Sequence, residues 1–268
     1  MRTVRARLES LAEAGATGTL SLGDDGAFHL VDGAVVHAET AHTPSLRELL
    51  TASGRLTEQG WELLRAQGPG HGPASPARLG AAEFEAHALI HFFDAAFFLA
   101  RSGHEPRFED GKAPYWPECL AVDPVTLCVE IRRRRVLLDA AWPSPLADDE
   151  PVRPLRRVSR QRVILTGLQA EILLNADGRK TPSGLARELG RTRFGCVLAV
   201  RGLVASALVR PPGSDDGGAR AEDGAPAPRI GGAPRWESQP RDGAFPAKWA
   251  HADLELLARL HDALRELE

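Results

Sequence analysis

Apolar residues recur every three to four positions along several stretches of this chain and alternate with polar ones along others. The two periods divide it into helices and strands. Val4, Leu8 and Leu11 mark a helix over residues 3–14, which Gly15 ends. Three short strands follow at 18–22, 27–31 and 34–39, separated by Gly23-Asp24-Asp25-Gly26 and by Asp32-Gly33. An Asp-Gly pair suits a two-residue hairpin because both central residues need positive φ, so an antiparallel meander is predicted. Helices are predicted over 45–52, over 57–65 from the N-cap Thr57, over the Phe-rich stretch 81–101, and from the cap-then-proline pair Asp123-Pro124 to about residue 140. A strand fits 105–109, and the Gly/Pro-dense 67–76 reads as a loop.

A second set of signals begins after residues 141–160, where Pro143, Pro145, Pro151 and Pro154 and a switch from acidic to basic side chains predict an interdomain linker. Val163, Ile164 and Leu165 fit a short strand, and Thr166 caps a helix striped by Leu168, Ile172 and Leu173. Thr181-Pro182 opens a second helix that closes at Gly190. A third runs over 192–207 into the apolar pair Leu208-Val209. Residues 211–248 hold seven Gly and seven Pro, too many for a packed core, and are predicted to be a disordered tether. The last segment, 249–268, carries Leu257, Leu260, Leu264 and Leu267 on one stripe of an amphipathic helix, marking it as a surface for a protein partner or a second copy of the chain. The expected class is α+β: a meander with helices over 1–140, a linker over 141–160, a small mainly helical unit over 161–210, the tether and the terminal helix.

Charge sharpens this division. Residues 1–150 carry 14 basic against 22 acidic side chains, residues 151–210 carry 12 against 3, and residues 211–268 carry 7 against 11. A net charge of −3 therefore hides a cationic module between two anionic ones. Either the module meets an external polyanion such as duplex DNA, or it docks on its own acidic neighbours.

Three cysteines without CxxC spacing indicate neither a disulfide framework nor a zinc ribbon. No secretory or membrane-spanning pattern is present, so a cytoplasmic protein is expected. Glu83, His87, His91 and Asp94 fall on one face of the predicted long helix. This is a metal-like spacing, but with no further ligand cluster it reads as a solvated face, and no metal or other cofactor is expected. His37, alternating on a strand, reads as a packed structural residue. Phosphate-binding loops, dinucleotide fingerprints, nucleophile elbows and HExxH are all missing. The carboxylate pairs Asp24-Asp25 and Asp148-Asp149-Glu150 sit in turn and linker contexts, so catalysis is not expected.

The runs GTLSL (18–22), GAFHL (26–30), VDGAVVHA (31–38), LRELL (46–50) and GRLT (54–57) together resemble the bacterial PATAN domain family, over about half the chain. That resemblance implies a protein-interaction or signal-input module. DGRKTPSGLARELG (177–190), followed by a third helix and a Leu-Val strand, is similar to the winged helix-turn-helix domains of bacterial regulators. On that similarity, Arg191, Thr192 and Arg193 at the start of the third helix are candidates for groove contacts. Arg179, Lys180, Arg187, Arg156 and Arg157 are candidates for phosphate contacts. The wing is poor, since Pro211-Pro212-Gly213 leaves no second strand after Val209. The expectation is a transcriptional regulator binding double-stranded DNA, with a signalling adaptor that binds only proteins as the alternative.

Overall fold

The computed structural model describes residues 2–67, 79–111, 120–158 and 162–213. The chain divides into one compact unit, Met1–Gly213, and a second, Ser214–Glu268, which lies outside the described residues along with the predicted stripe of Leu257, Leu260, Leu264 and Leu267.

Helix α1 (Arg2–Glu13) buries Val4, Leu8 and Leu11, and the chain then enters the predicted meander. Strands β1 (Gly18–Ser21), β2 (Ala27–Val31) and β3 (Ala34–Glu39) pair antiparallel in succession. The β2–β3 hairpin turns on Asp32 (φ 49°) and Gly33 (φ 81°), both left-handed as the Asp-Gly signal requires. A fourth strand, β4 (Arg107–Asp110), pairs antiparallel with the free edge of β1, giving the order β3-β2-β1-β4.

Ser45 and Glu48 form a reciprocal capping box on α2 (Leu46–Ala52), and α3 (Glu58–Gln67) follows. The Phe-rich α4 (Ala81–Leu99) packs against β3, α2 and α5 (Pro124–Ala141), whose start is fixed by the Asp123 side chain and Pro124. Phe84, Phe92, Phe97 and Phe98 are all buried, so α4 supplies the centre of the core, each ring worth about 1.5–3 kcal/mol of burial.

The three helices of the basic segment form as the caps dictate: α6 (Gly167–Asn175) on Thr166, α7 (Pro182–Leu189) on Thr181, and α8 (Arg193–Ala205) on Thr192. Two expectations about their flanks are corrected. Residues 163–165 form no strand: Ile164 is 85 % exposed and the stretch merely leads into the α6 cap. The strand-like partner of Val209 comes from the supposed linker instead, where Pro154 bridges Val209, the Leu155 N–H donates to the Leu208 carbonyl and the Arg210 N–H to the Arg153 carbonyl.

Residues 141–158 are therefore not a spacer. Pro145–Asp148 form a 3₁₀ turn, Ala147, Asp148 and Val152 are buried, and Val152 N–H donates to the Lys180 carbonyl. Helix α8 contacts α5 as well as α6 and α7. No helix among the described residues is long and apolar enough to cross a membrane.

Candidate functional site at the junction of sheet and helices

The acidic part of the chain holds the basic segment by its buried charges. Asp94, on α4, is fully buried, and its two oxygens accept the backbone N–H groups of Arg193 and Phe194, each at 2.8 Å. These are the first two residues of α8, whose N–H groups have no partner within their own helix, and the positive end of the helix dipole faces the carboxylate. Burial nevertheless pushes the Asp94 carboxyl up to about 6, the two N–H groups and nearby Arg134 and Arg193 only partly opposing it.

The Arg193 guanidinium lies 4.1 Å from the centre of the Phe98 ring, pairs with Asp149, and donates to the His42 carbonyl at 3.3 Å. Burial lowers its pKa, and Asp149 works against that shift. Two turns further on, Arg201 binds buried Asp148 in a two-pronged arrangement at 2.7 and 2.9 Å and donates to the Trp142 carbonyl at 2.7 Å, while Arg101 reaches the same carboxylate at 3.1 Å. A fully buried carboxylate survives only with such partners. Phe194 sits edge-on to Phe97 and beneath Arg134. From α7, Arg187 donates to the carbonyls of Ala41 and Thr43, and the Ser183 hydroxyl to that of His42 at 3.0 Å, so the loop after β3 is clamped onto the helices.

This geometry reassigns most residues singled out for DNA. Arg193 is buried and cannot enter a groove, because Asp94 and Asp149 already hold it at the protein's own interior. The Thr192 hydroxyl accepts the Gly195 N–H at 3.1 Å as a helix cap. Arg191 is bound in two-pronged fashion to Glu171 at 3.1 and 2.8 Å, and Lys180 pairs with Glu188 at 2.7 Å. Arg187 is taken up by loop carbonyls and Glu48. Arg156, Arg157 and Arg179 remain exposed, and no acidic side chain among the described residues pairs with them. Arg187, Arg193 and Arg201 thus turn part of the local charge reversal toward the acidic neighbours, while Arg191 and Lys180 pair within the segment itself.

The face of α4 that carries Glu83, His87, His91 and Asp94 also departs from expectation. It is not solvated: His91 and Asp94 are buried, and Glu83 and His87 are half-buried. The sheet covers His91, where His29 (β2), His37 (β3) and His91 stack at 5.7 and 6.2 Å between ring centres, and the start of α8 meets Asp94. Among the described residues no group of three or more His, Cys, Asp or Glu side chains is placed to hold a metal ion. His37 is packed in this stack, as its strand position implied.

Asp94, Asp148 and Asp149 build the junction, a role that neither the helix-face spacing of Asp94 nor the linker context of Asp148 and Asp149 points to. The proline-rich context of Asp148 and Asp149 implies solvent-facing linker charges, whereas Asp148 is fully buried. A lone carboxylate in the Phe-rich run HFFDAAFF was the available signal for Asp94, since such a position faces a core and requires a partner.

Comparison with protein-family models, with curated proteins and with solved structures finds no match to this chain.

Proposed function

We propose that this protein is a non-catalytic regulatory adaptor in which a PATAN-like sheet unit and a helix-turn-helix-like unit act as one body toward protein partners. The observation that carries the reading is the Asp94 lock on α8. The helix end that would begin groove contacts is turned into the protein and its arginine is consumed there. Surface for a partner is available on the helical side, where Ile164 and Leu174 are 85 % and 86 % exposed.

The alternative, a DNA-binding regulator, is favoured by one observation, the exposed Arg156, Arg157 and Arg179 without described acidic partners. Such residues grip phosphates without reading bases.

One pair of measurements separates the two. Photo-crosslinkers placed at residues 164 and 174 of the full chain in cells are expected to yield a discrete protein adduct. Fluorescence anisotropy with generic duplex DNA at low salt is expected to stay flat. Saturable DNA binding that weakens steeply with salt, and is lost in Arg156→Ala/Arg157→Ala/Arg179→Ala, would replace the adaptor reading by the regulator.

A further inference from the structure

Between α1 and α5 lies a cleft of about 490 Å³, large enough for one small molecule. Its floor is aliphatic: Val4 and Leu8 of α1, Ala100 just past α4, and Ile131 of α5, all buried. Half-buried Cys128 and exposed Val136 continue it along α5. Among the described residues that line the cleft there is no aromatic ring and no amide or hydroxyl side chain, so no side chain would orient a polar ring system by neutral hydrogen bonds. From Cys128 to Asp139 the lining follows α5 for three turns, about 16 Å at the helical rise, a length that suits a chain better than a compact body.

The polar part of the lining is charged and its balance is positive: Arg5, Arg132 and Arg135 share the cleft with one carboxylate, Asp139. Arg5 is held by Glu9 at 2.8 Å, and Arg135 lies 3.9 Å from Asp139, which Arg201 also approaches at 3.6 Å. Arg132 differs from both. Side chains one turn apart on a helix are the ones that meet, and its neighbours at that spacing are Cys128, Val129, Arg135 and Val136, none of them acidic. Glu130, the carboxylate closest to it along α5, is bound by Arg133 at 2.6 Å and Arg134 at 2.9 Å. Even with Glu9 counted, three guanidiniums meet two carboxylates, so one positive charge remains at an aliphatic cleft. A cation would be repelled there. An anion gains a charge-assisted contact beside a surface that takes up its hydrocarbon part.

We infer that the α1–α5 cleft binds a single-chain aliphatic anion, its hydrocarbon lying over Val4, Leu8 and Ile131 and its carboxylate meeting Arg132. None of the described lining residues belongs to the basic segment 151–210, so the site stands whether that segment meets protein or DNA.

The test is a titration of the full chain with octanoate, octanol and octylammonium, chains of one length that differ in the charge of the head group. Binding is read by calorimetry and by iodoacetamide labelling of Cys128, located by tandem mass spectrometry, with buried Cys196 as the internal reference. Octanoate is expected to saturate with a Kd of about 1 mM or tighter, the range for a ligand of about ten atoms. At ten times Kd it is expected to slow Cys128 labelling about tenfold by mass action. Octylammonium is expected to bind about tenfold more weakly than octanoate, with octanol between them. Arg132→Gln is expected to bring octanoate to within about twofold of octanol and to leave octanol unchanged, which a merely structural role of Arg132 would not do. Val136, 59 % exposed, can be changed without opening the core, and Val136→Asp is expected to weaken octanoate about tenfold by placing a carboxylate in the cleft. Equal affinity for octylammonium and octanoate, binding that leaves Cys128 labelling unchanged, or no saturable heat with octanoate would each overturn the inference. A dimer whose Cys128 is protected before any ligand is added would overturn it as well and assign this face to a second copy of the chain. The wild-type titration decides the matter even if a variant does not fold.

Discussion

Asp94 shows how one side chain can join two halves of a protein. Its carboxylate answers the two leading N–H groups of α8 from a helix a hundred residues earlier, so removing it leaves both buried donors without partners. Asp94→Ala is expected to cost about 2–4 kcal/mol in a urea unfolding series, well above the typical single substitution. Titration gives a second, independent readout. The His37 and His91 rings sit near 4 in the folded protein against 6.5 when unfolded, so the stability they contribute is present above pH 6.5 and lost as pH falls through about 4. Asp94 runs the other way: its folded value of about 6 lies above 3.8, so its contribution is fullest below that value and is lost as pH rises through 6. Two rings outweigh one carboxyl, and net stability is expected to fall on acidification from pH 6.5 to 4. His91→Gln should make that fall shallower and Asp94→Asn should make it steeper. Identical slopes for the two variants would contradict the assignment.

At the level of elements, the α7–α8 turn carries a constraint invisible in the helix pattern. Gly190 closes α7 in the left-handed conformation at φ 61°, and a Cβ there would lie 2.3 Å from the backbone nitrogen of Ser53, the cap of α2. Gly190→Ala must therefore separate α2 from the helical segment as well as strain the turn, at an expected cost of about 2–4 kcal/mol. Gly184, inside α7, has ordinary φ, and its added Cβ would meet only the Thr181 hydroxyl at 3.7 Å. Gly184→Ala is expected to leave stability unchanged or raise it by about 0.5–1 kcal/mol. Thermal unfolding of the pair checks both; similar melting temperatures for the two would mean that α2 and α7 are not in contact in solution.

The molecule as a whole follows from these locks. With Asp94, Asp148 and Asp149 on one side and the N–H groups and arginines of α8 on the other, residues 1–213 should unfold in a single cooperative transition. Calorimetry is expected to give one peak with matching van't Hoff and calorimetric enthalpies. Two resolved transitions would restore independent domains. Arg201→Met tests the same coupling chemically: among the described residues it leaves the buried Asp148 with only the Arg101 ion pair, and a loss of about 3–5 kcal/mol is expected.

The local grammar of the chain was legible without a fold. Asp123, Thr166 and Thr181 each cap the helix their positions announced, and the Asp32-Gly33 hairpin turned as its residues demand, because caps and tight turns are settled by atoms within a few residues of one another. What the basic segment does with its charge was not legible. An arginine at the start of a helix reads the same whether it faces a phosphate or a carboxylate 44 residues away, and only the packing of α8 against α4 and α5 placed Arg193 on Asp149 and its N–H on Asp94. The histidine stack was hidden for the same reason. His29, His37 and His91 come from three elements, and the spacing between them along the chain carries no trace of the 6 Å that separates their rings once the sheet lies on α4.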